Sequence, residues 1–355
     1  MKSDVFFVKL ESSEAKARIE AMKRMISAVG YFFKFEKDEF VPVKLTIGDS
    51  PCVYYISPEL VKLVTGAIKQ QQAKPFLFDT SVIYKGQRQN AVDHLNLAQE
   101  KGFGHAQTEV PFIVADGVFG QDGREFQIEG NEIERIKIPS FIGMVDSLVV
   151  LSHATGHIVS GYGGAIKNVA MGMSCRPTKQ VQHSSLKPSV VARKCISCGC
   201  CVAICPVNAI SLKNEKTACI DQKVCIGCGE CLCACKFDAI YINWHEEPEV
   251  FCRRMVDVAK FILSKFKNKF YFNFALDITK ECDCISARDE QMISEDIGIL
   301  ASRDILSLDK ATVDLALLNK KSPYLDEKRK IYEGMFDYAA GKSLGNLDYN
   351  LVKLE

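Results

Sequence analysis

The sequence predicts an α/β fold: a mostly parallel sheet with flanking helices, interrupted by a small α+β ferredoxin-like 2[4Fe-4S] domain. Three observations predict it. Short apolar runs of strand length alternate with amphipathic helical segments through the first half of the chain. Ten of the sixteen cysteines fall in two matching stretches, CISCGCCVAICPVNAISL at 195–212 and CIGCGECLCACKFDAIYI at 225–242. The strand–helix alternation then resumes, so the cysteine repeat reads as an insertion into one α/β domain, which is tolerated where chain ends lie close together at a surface. The expected division is 1–187 for the first part of the α/β domain, 188–246 for the two-cluster ferredoxin-like domain, and 247–355 for the part completing the sheet.

The elements follow in order. SSEAKARIEAMKRMISAVG (12–30) has serines at its start, an apolar stripe and Gly30 at its end, the pattern of a capped helix. SPELVKLVTGAIKQQQ (57–72) opens with Ser57 and Pro58, which suits a cap followed by the first turn. GQRQNAVDHLNLAQEKG (86–102) closes on Gly102. Between them lie the apolar runs VPVKLTIG, KPFLFDT, PFIVADG and SLVVLSH. Beyond the repeat, Phe270, Phe272, Phe274, Leu276 and Ile278 alternate at the strand period, and DIGILASRDILSLDKATVDLAL reads as strand, turn and helix.

Composition narrows the function. The chain of 355 residues is 47% hydrophobic and 25% charged with a net charge of +1, so no electrostatic case exists for nucleic acid or an anionic membrane surface. The longest apolar segment, 141–161, is broken by Asp146, His153 and His157, which argues against a membrane span. The N-terminal stretch lacks the apolar core of an export signal, so the sixteen cysteines are expected as reduced thiols or metal ligands in the cytoplasm.

The cysteine runs read Cys195-x-x-Cys198-x-x-Cys201-x-x-x-Cys205 and Cys225-x-x-Cys228-x-x-Cys231-x-x-x-Cys235. Three thiolates at steps of three wrap one cuboidal cluster, and the fourth reaches its neighbour. The expected cofactors are therefore two [4Fe-4S] clusters. Cys195, Cys198, Cys201 and Cys235 hold one; Cys225, Cys228, Cys231 and Cys205 hold the other. Structural zinc also takes four cysteines, but usually as two separated C-x-x-C pairs. Cys200, Cys219 and Cys233 have no ligand counterpart in the repeat and suit packing, as do Cys52 and Cys252.

Polar residues follow each apolar run: Asp49, Asp79, Asp116, Ser152 with His153, Cys282 to Cys284, and Arg303 with Asp304. In open α/β sheets the carboxyl ends of the strands form the ligand crevice. Within it, Gly161, Gly163, Gly164, Lys167 and Asn168 suit a small anion, with a glycine loop packed closely on a strand as the structural alternative. His153, His157, Cys175, His183, Cys282, Asp283 and Cys284 carry donors for an additional metal ion, whereas ordinary structural histidines and redox-active thiols are the competing readings.

The chain resembles the domain of unknown function 362 family in versions carrying an inserted two-cluster ferredoxin module. The resemblance rests on KLTIGD (44–49), FLFDT (76–80), KGQRQNAVDHLNLA (85–98), VADGVFGQD (114–122), SHATGHIVSGYGGAIKN (152–168), MGM (171–173), KQVQHS (179–184), CDC (282–284) and IGILASRDILSLDKA (297–311). It implies Asp116, His157, Gly163, Gly164, Lys167, Asn168, His183, Cys282, Asp283 and Cys284 as the matches to the family pattern. Ile305, Leu306 and Ser307 depart from that pattern, which weakens the carry-over of Asp304 and Asp309.

Two functions compete. In the first, the clusters transfer electrons to or from a small anionic substrate or metal in the crevice of an iron–sulfur oxidoreductase. Lys167 would bind the anion, and Asp116, His157 or His183 would move protons. In the second, the protein is a non-catalytic ferredoxin-type carrier or docking subunit. Both imply a redox partner protein such as a ferredoxin or reductase. A third reading has the clusters only stapling the fold.

Overall fold

The computed structural model describes residues 2–354 apart from 85, 131, 184–186, 206, 214–216, 226–230, 232–233, 238, 242–246, 285–290 and 319–321. Among the described residues one sheet carries eight strands: β1 (Ser3–Lys9), β2 (Phe40–Lys44), β3 (Lys74–Asp79), β4 (Phe112–Val114), β5 (Ser147–His153), β6 (Asn268–Ala275), β7 (Gly298–Ser302) and β8 (Tyr349–Lys353). Their spatial order is β8-β1-β7-β6-β5-β2-β3-β4. Every pairing is parallel except those of β7, which runs antiparallel to both β1 and β6. The sheet is mixed but mostly parallel, with helices on both faces.

Side-chain alternation explains the two faces. In β6, Phe270, Phe272 and Phe274 enter one core while Tyr271 and Ala275 enter the other. The first core packs under α1 (Ala15–Val29), α2 (Pro58–Lys69) and α3 (Ala91–Glu100), whose buried stripes include Met22, Met25, Leu60, Val64 and Leu97. The second lies under α4 (Ala165–Ala170), α6 (Pro248–Leu263), α7 (Ile305–Leu318) and α8 (Arg329–Gly341), with the short helix α5 (Arg176–Gln182) leading out of it. No helix among the described residues is long and apolar enough to cross a membrane.

The helix boundaries refine the sequence reading. α1 begins after Glu14, with no side-chain cap, because the serines lie one to two residues too early. Ser57 precedes α2 with extended backbone, and its side chain likewise accepts no first-turn amide, so Pro58 alone marks that start. Asn90 does cap α3, accepting from the Asp93 amide. Two strands carried no sequence expectation: β1 and β8, which pair in parallel at one sheet edge.

β5 and β6 pair side by side although the cysteine repeat lies between them in sequence. That repeat has its own small apolar cluster of Cys201, Ile210, Ala218, Ile220, Cys231 and Ile240. Ser189–Val190 pairs antiparallel with Ile240–Tyr241, and Ile210–Lys213 with Thr217–Ile220.

Phe33 closes the aromatic end of the first core. It is 1% exposed and meets Phe35, Phe270 and Phe272 edge-on at ring separations of 4.9, 5.1 and 5.8 Å. Phe33→Ala is expected to lower the free energy of unfolding by ~3–5 kcal/mol in urea titration, since the ring leaves a cavity that the sheet cannot fill.

Candidate functional site

The crevice is built where β2, β3, β4, β5 and β6 end. Parallel strands present their carboxyl ends together, and the chain then turns into polar loops. Lys44, the last residue of β2, is fully buried. Its ammonium lies 3.0 Å from Asp79 Oδ1, donates to Asn168 Oδ1 at 2.8 Å and donates to the Leu45 carbonyl. Asp79, the last residue of β3, also accepts from Arg88 Nη1 at 3.1 Å. Burial opposes ionisation of Asp79, but Lys44 and Arg88 outweigh it and hold the carboxyl down at about 2. Arg88 also donates to Thr46 Oγ1 at 2.9 Å and to the Tyr84 hydroxyl at 2.8 Å. His94, pressed against this group, is driven down to about 3 by burial and stays neutral.

A second group sits beyond β4. Asp116 is buried and accepts the Ser81 amide at 2.9 Å. Burial pushes its carboxyl up to about 6 against the pull of Lys179 and the Ser81 amide. Lys179 donates to Thr80 Oγ1 at 2.7 Å, and burial lowers it to about 8. Arg176 is 3% exposed, and its Nε and Nη2 have no hydrogen-bond partner among the described residues. Arg176 and Ser81 both press on Gly120, where a Cβ would come within 2.4 Å of the arginine chain.

The third group follows β5 and β6. His153 Nδ1 bonds Asp283 Oδ1 at 2.7 Å and its Nε2 bonds the Leu276 carbonyl at 2.7 Å. Burial disfavours the imidazolium, but these two acceptors outweigh it and raise the His153 pKa. Lys167 points at the neighbouring thiols, with Nζ 3.7 Å from Cys284 Sγ. Cys282 and Cys284 are partly exposed.

Several expected roles do not survive. The amides of Ala165 and Ile166, which an anion bound by the glycine loop would need, donate to Asp309 at 2.8 and 2.9 Å. A Cβ on Gly164 would lie 2.4 Å from the same carboxylate and from the Tyr162 hydroxyl, and Gly161 has φ +75. Gly161, Gly163 and Gly164 thus serve close packing, with an internal carboxylate where the anion was expected. Asn168 is committed to Lys44, Leu151 and Ser152. His157 accepts from the Ser160 amide at 3.0 Å, lies parallel to Phe251, and is driven well below its ordinary pKa by burial and by Lys167. His183 packs on the same ring at 4.6 Å. Both histidines thus pack on the Phe251 ring.

The seven residues proposed for an additional metal also separate. His153 with Asp283, and Cys282 with Cys284, stay together at the crevice, while His157 and His183 stand against Phe251. Cys175 is buried beside Asp122 and Lys137. Among the described residues no group of three or more His, Cys, Asp or Glu side chains is arranged to hold a metal ion. Arg303 and Asp304 lie at the opposite sheet edge because β7 runs backwards. Asp304 there accepts from Ser3, from Asn346 and from the first amides of α7.

In the cysteine repeat, Cys195, Cys198, Cys201 and Cys235 line one pocket together with Val190, Leu212, Phe237 and Ile240. Amides donate to sulfur at Cys195 (Ala218, 3.4 Å), Cys205 (Ala209, 3.2 Å) and Cys235 (Ala239, 3.3 Å). Cys205, Cys225 and Cys231 pack in the same small cluster, and Cys228 lies outside the described residues.

Comparisons with known proteins give a family. The family model described as Domain of unknown function (DUF362) matches residues 41–314. No curated protein matches the chain. The lactate racemase apoprotein from Thermoanaerobacterium thermosaccharolyticum is similar in fold, with 11% identity and a TM-score of 0.42 over 78% of this chain and 51% of that one. A protein from Thermotoga maritima is similar at 11% identity and a TM-score of 0.40, over 94% of this chain and 60% of its own. The chain therefore spans roughly half to three-fifths of the solved structures it resembles.

The Asp116 pKa carries a pH signature. Its folded value of about 6 exceeds the ordinary 3.8, so the native state takes up a proton that the unfolded chain does not. The resulting stability is fully present below pH 3.8 and is lost as pH rises through 6. Asp116→Asn is expected to remove this part of the profile, read as a smaller change in urea midpoint between pH 4 and 7 than in the native protein.

Proposed function

The chain belongs to the Domain of unknown function (DUF362) family, and on that premise we propose that it is an iron–sulfur protein that transfers electrons to or from a small anion in its crevice. The observation that supports cluster binding is the pocket shared by Cys195, Cys198, Cys201 and Cys235. The pocket, which Cys200 also lines, brings three cysteines of the first run near the last cysteine of the second, the combination that crossed ligation in two-cluster ferredoxins would use. Two separated C-x-x-C pairs, the usual zinc arrangement, would not draw Cys235 to that place.

The donor chemistry fits. Ala209 and Ala239 each donate to the sulfur four residues earlier, at equivalent points of the repeat. Such amide bonds stabilise thiolate charge and tune reduction potential. Cys195, Cys198, Cys201 and Cys235 would hold one cluster, and Cys225, Cys228, Cys231 and Cys205 the other. When bound, the clusters supply one-electron transfer. A ferredoxin or reductase is the proposed partner.

In the crevice the anion is assigned to Arg176, not to the glycine loop. A buried guanidinium with unused donors is costly unless something accepts from it. Asp116, which burial raises to about 6, would exchange a proton near neutral pH.

Protein purified without oxygen is expected to be brown, with about eight irons and eight acid-labile sulfides per chain. Cys198→Ser and Cys235→Ser should each lower the iron content by about half, because both remove a ligand of the same cluster. A colourless, folded protein holding only zinc overturns the proposal, as does full iron retention in Cys235→Ser.

A further inference from the structure

The crevice holds one pair of nucleophiles that the proposal above does not use. Cys282 and Cys284 flank Asp283, which is 4% exposed and fixed on both sides: its carboxylate binds His153, and its carbonyl accepts the Asp49 amide at 3.0 Å. With the middle residue anchored inward, the two thiols stand together at the crevice, hydrogen-bonded to each other and partly exposed. Lys167 reaches both sulfurs, at 3.7 Å from Cys284. The Tyr84 hydroxyl also bonds Cys284, while Arg88 bonds that hydroxyl and adds its charge.

We propose that Cys282 and Cys284 form a redox-active dithiol, with Cys284 as the attacking sulfur held by Lys167, Cys282 as the resolving sulfur, and a low-molecular-weight disulfide as the co-reactant. The surroundings separate the two thiols. Cys284 lies well below the ordinary thiol range because it accepts from Cys282, against the opposition of burial and with the help of Lys167 and Arg88. The same bond, with burial, pushes Cys282 well above that range. Cys175 makes the contrast: burial raises its thiol despite Lys179 and Lys137, and among the described residues its sulfur bonds only the Asp122 carbonyl.

The chemistry balances. The Cys284 thiolate attacks one sulfur of the small disulfide, forming a mixed disulfide and expelling one thiolate. Cys282 then attacks the Cys284 sulfur, gives up its proton and expels the second thiolate. The net change is protein dithiol plus small disulfide to protein disulfide plus two small thiols, and it reverses under a reducing excess. Neither iron nor sulfide takes part, so this proposal fails or stands separately from cluster binding.

The experiment reads one peptide. Cleavage after Lys280 and Arg288 releases ECDCISAR (281–288), whose only cysteines are Cys282 and Cys284. Anaerobic full-length protein is treated with oxidised glutathione, quenched by alkylation and analysed by mass spectrometry. The expected native peptide is unalkylated and two hydrogens lighter than the dithiol. Cys282→Ser should stop at the glutathione adduct on Cys284, and Cys284→Ser should remain alkylated at Cys282. In Cys282→Ser, adding Lys167→Gln should slow iodoacetamide labelling of Cys284 at pH 7 by on the order of tenfold and move its pH midpoint upward, while Lys167→Arg restores both. A native peptide that stays doubly alkylated in excess oxidised glutathione overturns the proposal. So does a Cys284 labelling midpoint at the value of an ordinary thiol. Iron loss in the cluster variants leaves this readout unchanged.

Discussion

The carboxylate of Asp79 holds two buried cations at once, and the crevice is organised around that fact. Lys44 and Arg88 come from the end of β2 and from the loop after β3, and both meet oxygens of the one side chain at 3.0 and 3.1 Å. Burying such an arrangement brings little net stability, because desolvation of three charges offsets most of their attraction. Removing Asp79 would be far worse, since it would leave two cations uncompensated in the interior. An apolar trio could fill the same volume, so stability alone gives no reason to keep the charges. Their consequence is positional: Lys44 fixes Asn168 of α4, and Arg88 fixes Tyr84, which in turn bonds Cys284.

Strand direction decides which polar residues belong to this assembly. Asp49, Asp79, Asp116, His153 and the Cys282–Cys284 segment all follow strands that run the same way, so their loops converge. Asp304 follows an equally apolar strand and looks identical in one dimension. Because β7 runs antiparallel to both neighbours, its last residues emerge at the other edge, beside the start of β1. There Asp304 accepts the first amides of α7 and ties in Asn346. It is a helix cap and a tether for the chain end.

This explains what was legible. The alternation of Phe270, Phe272 and Phe274 specified a strand whose faces contact two cores, and the polar residues after the apolar runs share one sheet edge in five cases of six. Strand polarity was not legible, since neither period nor propensity encodes it. Nor was Lys44, the one charged residue inside the run VPVKLTIG, whose partner Asp79 is distant in sequence. Arg176 and Lys179 were equally hidden: short, polar α5 carries an almost wholly buried face without the apolar period that marks such helices. His157 and His183 looked like ligands only because an aromatic partner, Phe251, is supplied by a helix beyond the cysteine repeat.

The glycine segment shows how one motif can be conspicuous for a different reason than first supposed. Its glycines permit Asp309, from α7, to approach until both carboxylate oxygens bond the opening amides of α4. Burial pushes that carboxyl up to about 6, against Asn273 and the two amides that favour its charged form. The contact fixes where α4 begins, and so fixes two successive side chains on it. Asn168 turns to Lys44 and Ser152, while Lys167 turns to the Cys284 sulfur. A loop built to bind a diffusible anion would leave its amides open and its lysine free to move. Here the amides are occupied from within and the lysine is aimed, so what the loop does is position a cation.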